Sequence, residues 1–165
     1  MPAIHNTILN SRIGLLEIRG TKDTVMSILF VDRETAGEKR STPYLEYCAD
    51  QLKQYFEGVR QEFDLNLITE GTEFQKKVWN SLLKIPYGSI ETYLGQSKNL
   101  GHTSAVRAVA AANSRNKIPI IIPCHRVVGS DGKLTGYSGG LWRKKWLIQH
   151  ERKICGFENQ LELLP

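Results

Sequence analysis

Apolar residues recur along this chain in two rhythms. Over residues 4–31 they form short runs broken by turn-formers. Strands are predicted at 4–10, 13–19 and 24–31, with Asn10-Ser11-Arg12 and Gly20-Thr21-Lys22-Asp23 as the turns between them. Residues 33–42 are charged and polar and read as a loop. From Pro43 the rhythm becomes helical: Leu45, Cys48, Leu52, Tyr55 and Phe56 share one face, and Gly58 can stop the helix. Phe63-Asp64-Leu65-Asn66-Leu67 alternates like a further strand. Beyond Gly71 the pattern is mainly helical. Phe74, Val78, Trp79, Leu82 and Leu83 form an apolar stripe, with Thr72 as N-cap and Pro86-Tyr87-Gly88 as the stop. A short helix over 90–99, a turn at Gly101-His102 and a helix over 103–114 resemble a helix-turn-helix.

The second of these helices has two unlike sides. Ala105, Val109 and Ala112 face a core, while Arg107, Ala110, Ala111 and Ser114 lie on another side. One arginine among small side chains suits close approach to a nucleic-acid groove, and it suits a tight helix–helix contact equally well. The pattern alone leaves both open.

Composition sets the bounds. At 165 residues with 41% apolar content, the chain suits one ordinary domain or two small ones, and it is not disordered. No apolar run approaches the roughly 20 residues that span a bilayer, so no membrane partner is expected. Met1-Pro2-Ala3-Ile4-His5 does not open a secretory signal pattern. Cys48, Cys124 and Cys155 are odd in number and widely spaced, which predicts free thiols in a reducing cytoplasm. Cys48 and Cys155 are expected to be small buried hydrophobes. Together with His5, His102 and His150 they show no metal-ligand spacing, so no metal is expected.

Charge divides the chain. Residues 1–70 hold 8 Lys/Arg against 11 Asp/Glu, a net of −3. Residues 71–165 hold 14 against 6, a net of +8, and together they give the chain's +5. A basic half beside an acidic one suits contact with a polyanion, although a solvated lysine surface would look the same.

The candidate chemistry lies in Ile118-Pro119-Ile120-Ile121-Ile122-Pro123-Cys124-His125-Arg126-Val127-Val128. Pro123 suits the first position of a helical turn, whose N–H groups and dipole would favour a thiolate at Cys124. A cysteine becomes a nucleophile when a base takes its proton or positive charge lowers its pKa, and His125 is adjacent. As a bare Cys-His pair the segment also fits a buried cysteine beside an exposed histidine.

Pro123-Cys124-His125-Arg126-Val127 resembles the active-site signature of the O6-alkylguanine-DNA alkyltransferases. The likeness extends to the Ile118–Ile122 approach, Asn116, Arg107-Ala108-Val109, Tyr137-Ser138-Gly139-Gly140-Leu141 and Glu151. It covers residues from about Gly71 to Arg152, and residues 1–70 are compatible with the family's variable N-terminal part. The resemblance implies an α/β (α+β) chain. An N-terminal sheet-plus-helix domain of ribonuclease H type would occupy 1–70. A mainly helical, winged helix-turn-helix-like alkyltransferase domain would occupy 71–165.

It also implies roles. Cys124 would attack the alkyl carbon of O6-alkylguanine, with O4-alkylthymine left open as a second substrate, once per molecule and without a cofactor. His125 would deprotonate Cys124 through a water, and Glu151 would orient His125. Asn116 would hold the backbone of the cysteine loop, and Tyr93 would bond the flipped guanine and help protonate it. Arg107, Ala108 and Ala111 would meet double-stranded DNA from the minor groove, with Arg107 filling the gap left by the flipped base. Tyr137, Ser138 and Val127 would line the base pocket. The protein is expected to act as a monomer.

Some positions depart from the family pattern. Ala110 and Ala111 stand where glycines are common, Lys117 follows Asn116 where proline is common, and Gly95 interrupts the first short helix at a cost of about 1 kcal/mol. Two other classes compete with alkyl transfer: a non-catalytic damage sensor, against which Cys124 argues, and a cysteine hydrolase, which would turn over repeatedly.

Overall fold

The computed structural model describes residues 1–33 and 36–157, which fall into two units. One comprises Met1–Thr69 with Lys117–Ile121. The other comprises Glu70–Asn116 with the described residues from Ile122 onward.

In the first unit the three predicted strands form an antiparallel meander of β1 (His5–Ser11), β2 (Gly14–Gly20) and β3 (Val25–Val31). The first hairpin closes where Gly14 takes a φ of 109°, which glycine adopts without a Cβ penalty, and Ser11 Oγ donates to the Gly14 carbonyl at 2.7 Å. Helix α1 (Pro43–Phe56) packs on β1 and β2. Thr42 Oγ1 accepts from Leu45 N at its start, and Pro43 sits in its first turn. Ile13, Leu16, Ile18, Val25 and Ile28 are buried in this unit, as are Leu45, Cys48, Leu52 and Tyr55 of α1. Cys48 is thus the buried hydrophobe expected of it. In the loop predicted over 33–42, residues 34 and 35 lie outside the described residues, and Arg40 makes one bridge with Asn6.

The strand expected over 63–67 is reduced to a single parallel bridge between Leu67 and Val25. Side chains of α1 take the place of a second strand. Gln51 accepts from Asp64 N at 2.9 Å and donates back to the Asp64 carbonyl at 3.1 Å, while Asn66 N donates to Tyr44 Oη at 2.6 Å. The peptide groups are satisfied and no ladder is needed.

The segment Lys117–Ile121 belongs to this unit. Ile28 N donates to the Lys117 carbonyl at 2.9 Å, and Ile118 and Ile120 are buried. Ile120 has a φ of 74°, an uncommon conformation for a β-branched residue.

The second unit begins with α2 (Glu73–Leu82), closed by a capping box in which Thr72 and Gln75 exchange hydrogen bonds. The helix pair follows as α3 (Tyr93–Asn99) and α4 (Val106–Ser114). Both start later than the sequence predicts. Glu91–Thr92 instead form β4, which pairs in parallel with β5 (Val127–Val128). Thr92 then caps α3, its Oγ1 accepting from Gly95 N at 2.9 Å. A Cβ at residue 95 would crowd that same Oγ1 at 3.1 Å and the Glu91 carboxylate, which accounts for a glycine inside a helix.

Val78, Val109 and Ala112 form the small core that joins α2 to α4, flanked by Phe74 and Leu100. Gln96 of α3 and Asn113 of α4 exchange two buried side-chain hydrogen bonds of 3.1 and 2.7 Å, fixing one helix on the other. The last helix, α5 (Leu141–Ile154), follows Gly140, whose φ is 91°. Among the described residues no helix is long and apolar enough to cross a membrane.

Candidate active site

The cysteine loop is held from within the second unit. Asn116 Nδ2 donates to the Ile122 carbonyl at 2.8 Å, and Cys124 N donates to that same carbonyl at 2.8 Å. Cys124, His125 and Arg126 then form a single 3₁₀ turn that runs into β5. Pro123 stands at its N-cap, one position earlier than expected. Burial pushes the Cys124 thiol up, opposed by a hydrogen bond from Asn116, by the charge of Lys144 and by a backbone hydrogen bond. The backbone of the turn thus favours a thiolate, as expected, but burial outweighs it and Cys124 calls for a base.

His125 is fully buried in the same turn. Its Nε2 lies 2.7 Å from Glu151 Oε1. Burial holds the imidazole pKa below its usual value, against the pull of the Glu151 charge, so the ring is neutral. Burial also penalises the Glu151 carboxylate. The hydrogen bonds from His125 and Arg126, with the Arg126 charge, outweigh that penalty and hold it ionised, well below the usual carboxylate range. An ionised carboxylate only accepts, so Nε2 carries the proton. The basic lone pair is then on Nδ1, a buried atom with no hydrogen-bond partner among the described residues.

Glu151 is itself tightly held. Arg126 donates to it through Nε at 2.8 Å and Nη2 at 2.9 Å, and Gly88 N donates at 3.1 Å. Arg126 Nη1 donates to the Ile85 carbonyl at 2.7 Å. Gly88 has a φ of 79°, and a Cβ there would come within 2.6 Å of Cys155 Sγ, so the N–H that meets Glu151 depends on glycine. Cys155 is only half-buried, not the interior hydrophobe expected, with Sγ 3.8 Å from the Tyr87 carbonyl.

Helix α5 presents Lys144, Leu147, Ile148 and Glu151 on one buried face, at spacings of three, four and seven. Lys144 Nζ donates to Tyr93 Oη at 3.2 Å and to the Thr135 carbonyl at 2.8 Å, while Tyr93 Oη donates to that carbonyl at 2.9 Å. Burial pushes the Lys144 pKa down to about 8, opposed by the Cys124 charge. Tyr137 and Val127 are buried, and Ser138 is exposed.

Cys124, His125, Glu151 and Asn116 are thus joined through one turn and one helix, and Tyr93 is tied to α5 by Lys144. Arg107, Ala108 and Ala111 stand exposed on α4 beside Ser114, opposite the buried Val109, Ala112 and Asn113. Ala110 is half-buried. Sequence reasoning missed Arg126, Lys144 and Gly88 as parts of the site. Among the described residues no three His, Cys, Asp or Glu side chains are grouped to hold a metal ion.

Comparison with known proteins agrees over both units. Residues 73–153 match the family described as 6-O-methylguanine DNA methyltransferase, DNA binding domain, and residues 4–69 match 6-O-methylguanine DNA methyltransferase, ribonuclease-like domain. A methylated-DNA–protein-cysteine methyltransferase of Methanosarcina acetivorans is 41% identical over 153 residues, covering 90% of this chain and 98% of that protein. The crystal structure of the Mycobacterium tuberculosis O6-methylguanine methyltransferase has a TM-score of 0.82 at 37% identity, covering 92% of this chain and 94% of that one. The crystal structure of Mycobacterium tuberculosis OGT in complex with DNA has a TM-score of 0.84 at 37% identity, covering 96% and 99%.

Proposed function

The chain belongs to the 6-O-methylguanine DNA methyltransferase family, and on that premise we propose that it moves an alkyl group from O6 of guanine in DNA onto Sγ of its own Cys124, once per molecule. It is a DNA-binding methylated-DNA–protein-cysteine methyltransferase of direct-reversal repair. The observation that carries the site assignment is the buried Cys124-His125-Glu151 constellation, in which Glu151 occupies Nε2 and leaves Nδ1 as the base.

The reacting carbon is saturated and guanine is a poor leaving group, so the attacking sulfur must be a thiolate. His125 Nδ1 takes the Cys124 proton through a bridging water. The imidazolium that forms is stabilised by Glu151, whose position Arg126 and Gly88 fix. Sulfur then displaces guanine in line, and the thioether that results has no route back to a thiol. The acceptor is a protein atom, so the transfer calls for no cofactor. Asn116 supports the turn and hydrogen-bonds the sulfur. Tyr93 meets the leaving base, and Tyr137, Ser138 and Val127 enclose it.

Guanine inside a duplex must leave the stack to reach a buried sulfur, at a cost of a few kcal/mol. Arg107 fills the gap, and the small Ala108 and Ala111 allow α4 to lie against the minor groove. That groove's donor and acceptor code is degenerate, which suits a protein that must search any sequence. The protein acts as a monomer in a reducing cytoplasm, consistent with three free cysteines. Residues 1–70 form its N-terminal domain, and residues 71–165 carry DNA contact and chemistry.

Stoichiometry tests the reading. Mixed with excess O6-methylguanine DNA, the protein should demethylate one equivalent and stop, and Cys124→Ser should bind the DNA without reacting. Continued turnover would indicate a hydrolase, and transfer by the serine variant would remove Cys124 from its role.

A further inference from the structure

The wall assigned to the base pocket, Tyr137-Ser138-Gly139-Gly140, has little rigidity of its own. Two of its four residues are glycines, which give up the most freedom when ordered, and Gly140 sits at a φ of 91°. Within the wall, Gly140 N donates to the Tyr137 carbonyl at 2.9 Å. A second restraint comes from the start of α5, where Arg143 Nη1 donates to the carbonyl of the buried Gly139 at 2.8 Å.

Arg143 is an unfavourable residue for its position. It stands third in α5, where the helix dipole disfavours a cation, and no acidic side chain in the first turn offsets it. Its guanidinium lies 4.5 Å from the centroid of the Trp142 ring, a cation–π contact that fixes the plane of the fork. Trp142 is 57% exposed, so a large aromatic surface is left in solvent beside that guanidinium. The same indole borders Gly140, where a Cβ would stand 3.5 Å from Cδ1. Burial holds the Tyr137 phenol well above the usual tyrosine range; the Cys124 charge adds to this and the Arg143 charge opposes it, so tether, wall and sulfur lie close together. Cys124 and Tyr137 are both buried, and the room beyond Sγ is set by where this wall stands.

Resting on the alkyl-transfer reading, we propose that Arg143, backed by Trp142, determines which alkyl groups reach Cys124 by holding the Tyr137–Gly140 wall close over the sulfur. A methyl group fits within the closed wall. A benzyl group on the same oxygen requires the wall to move outward, and that movement stretches the bond between Arg143 and the Gly139 carbonyl. The tether therefore adds to the barrier for bulky groups and leaves methyl transfer nearly untouched. Bond making at sulfur and departure of guanine are the same for both groups, so the selection lies in fit. Arg143 is a positioning residue: it touches the wall, not the substrate.

Single-turnover alkylation of Cys124 by two single-stranded oligonucleotides, one carrying O6-methylguanine and one O6-benzylguanine, tests this. Mass spectrometry of the peptide containing Cys124 gives both rates, and a single strand removes duplex opening from the comparison. Arg143→Ala should raise the ratio of benzyl to methyl rates about tenfold or more, the scale on which a pocket discriminates by size. Its methyl rate should stay close to that of wild type. Arg143→Lys keeps the charge and a donor on a flexible stem, and its ratio should fall between the two. Trp142→Ala alters a surface residue and keeps the test usable where Arg143→Ala does not fold; its ratio should rise in the same direction by less. A ratio unchanged or lowered in either alanine variant, with folding verified by circular dichroism, overturns the proposal, because a merely structural role slows both substrates alike. Wild-type protein that gains no alkyl group on Cys124 from either oligonucleotide would instead overturn the alkyl-transfer reading.

Discussion

The outer face of α4 and the inner face of α5 use charge in opposite ways. On α4, Arg107 is exposed among Ala108, Ala111 and Ser114, and its value lies in what it can reach outside the protein. On α5, Lys144 and Glu151 are sealed from solvent, and each is committed to partners inside. An exposed charge costs little to carry and contributes little until a phosphate or a vacated base stack meets it. A buried charge shapes pKa values at all times, and removing its partner leaves it stranded. On the proposed function, the second unit separates recognition from chemistry. Substitutions on α4 should alter DNA handling with the fold intact, and substitutions below Cys124 should alter reactivity and stability together.

The sharpest way to break the comparison is Glu151→Ala. It strands Arg126 in the interior and removes the acceptor of His125 Nε2–H. We expect a stability loss of about 3–5 kcal/mol by denaturant unfolding, together with loss of transfer. The effect should depend on pH. The folded pKa of Glu151 is depressed, so its contribution is complete above the ordinary glutamate range and fades as pH falls through the lower folded value. The stability gap between wild type and Glu151→Gln should accordingly begin to narrow as pH falls below the ordinary glutamate range and keep narrowing toward the lower folded value, and a gap unchanged down to the lowest pH at which the protein folds would contradict the linkage.

His125→Asn comes next. It removes the base and keeps a polar group near Glu151. Single-turnover transfer should fall by roughly 10²–10⁴, while DNA affinity by gel shift remains. A loss of affinity equal to the loss of rate would erase the division between the two faces.

Arg107→Ala is expected to have a smaller effect, confined to duplex substrates. At saturating protein, repair of duplex O6-methylguanine should slow, while reaction with the free modified base is spared. Equal losses on duplex and free base in a folded variant would remove Arg107 from the base-flipping role. Smaller still is the effect of salt on wild-type binding. Affinity should weaken with ionic strength through counterion release, and the slope should be slightly shallower in Arg115→Ala, since Arg115 is exposed at the end of α4. Binding that ignores ionic strength would contradict the assignment of DNA contact to the basic half.

What could be read from the sequence follows the same division. The three strands and α1 carry clear periods and turn signals, and Cys124 is marked by a run of unusual residues around it. Glu151 could be placed only through the family resemblance, with its position at the end of an apolar stripe compatible with that role. Lys144 and Arg126 could not, because charged side chains are solvated by default and the sequence does not display which of them a fold will bury. Two other features have no local pattern to detect. The β4–β5 pairing involves two residues on each side, and the segment 63–67 is satisfied by Gln51 and Tyr44 side chains where a strand would have given a ladder. The late start of α3, against the residue 90 expected, follows from Thr92 acting as its cap.

The central claim is that the buried thiol beside His125 is the final resting place of the alkyl group. Peptide mapping by mass spectrometry, after one incubation with O6-methylguanine DNA, tests it most directly. The account predicts one added methyl group, on the peptide containing Cys124, with Cys48 and Cys155 unmodified. A methyl group on Cys155, on Cys48 or on no cysteine at all, while the DNA is nevertheless demethylated, would contradict it.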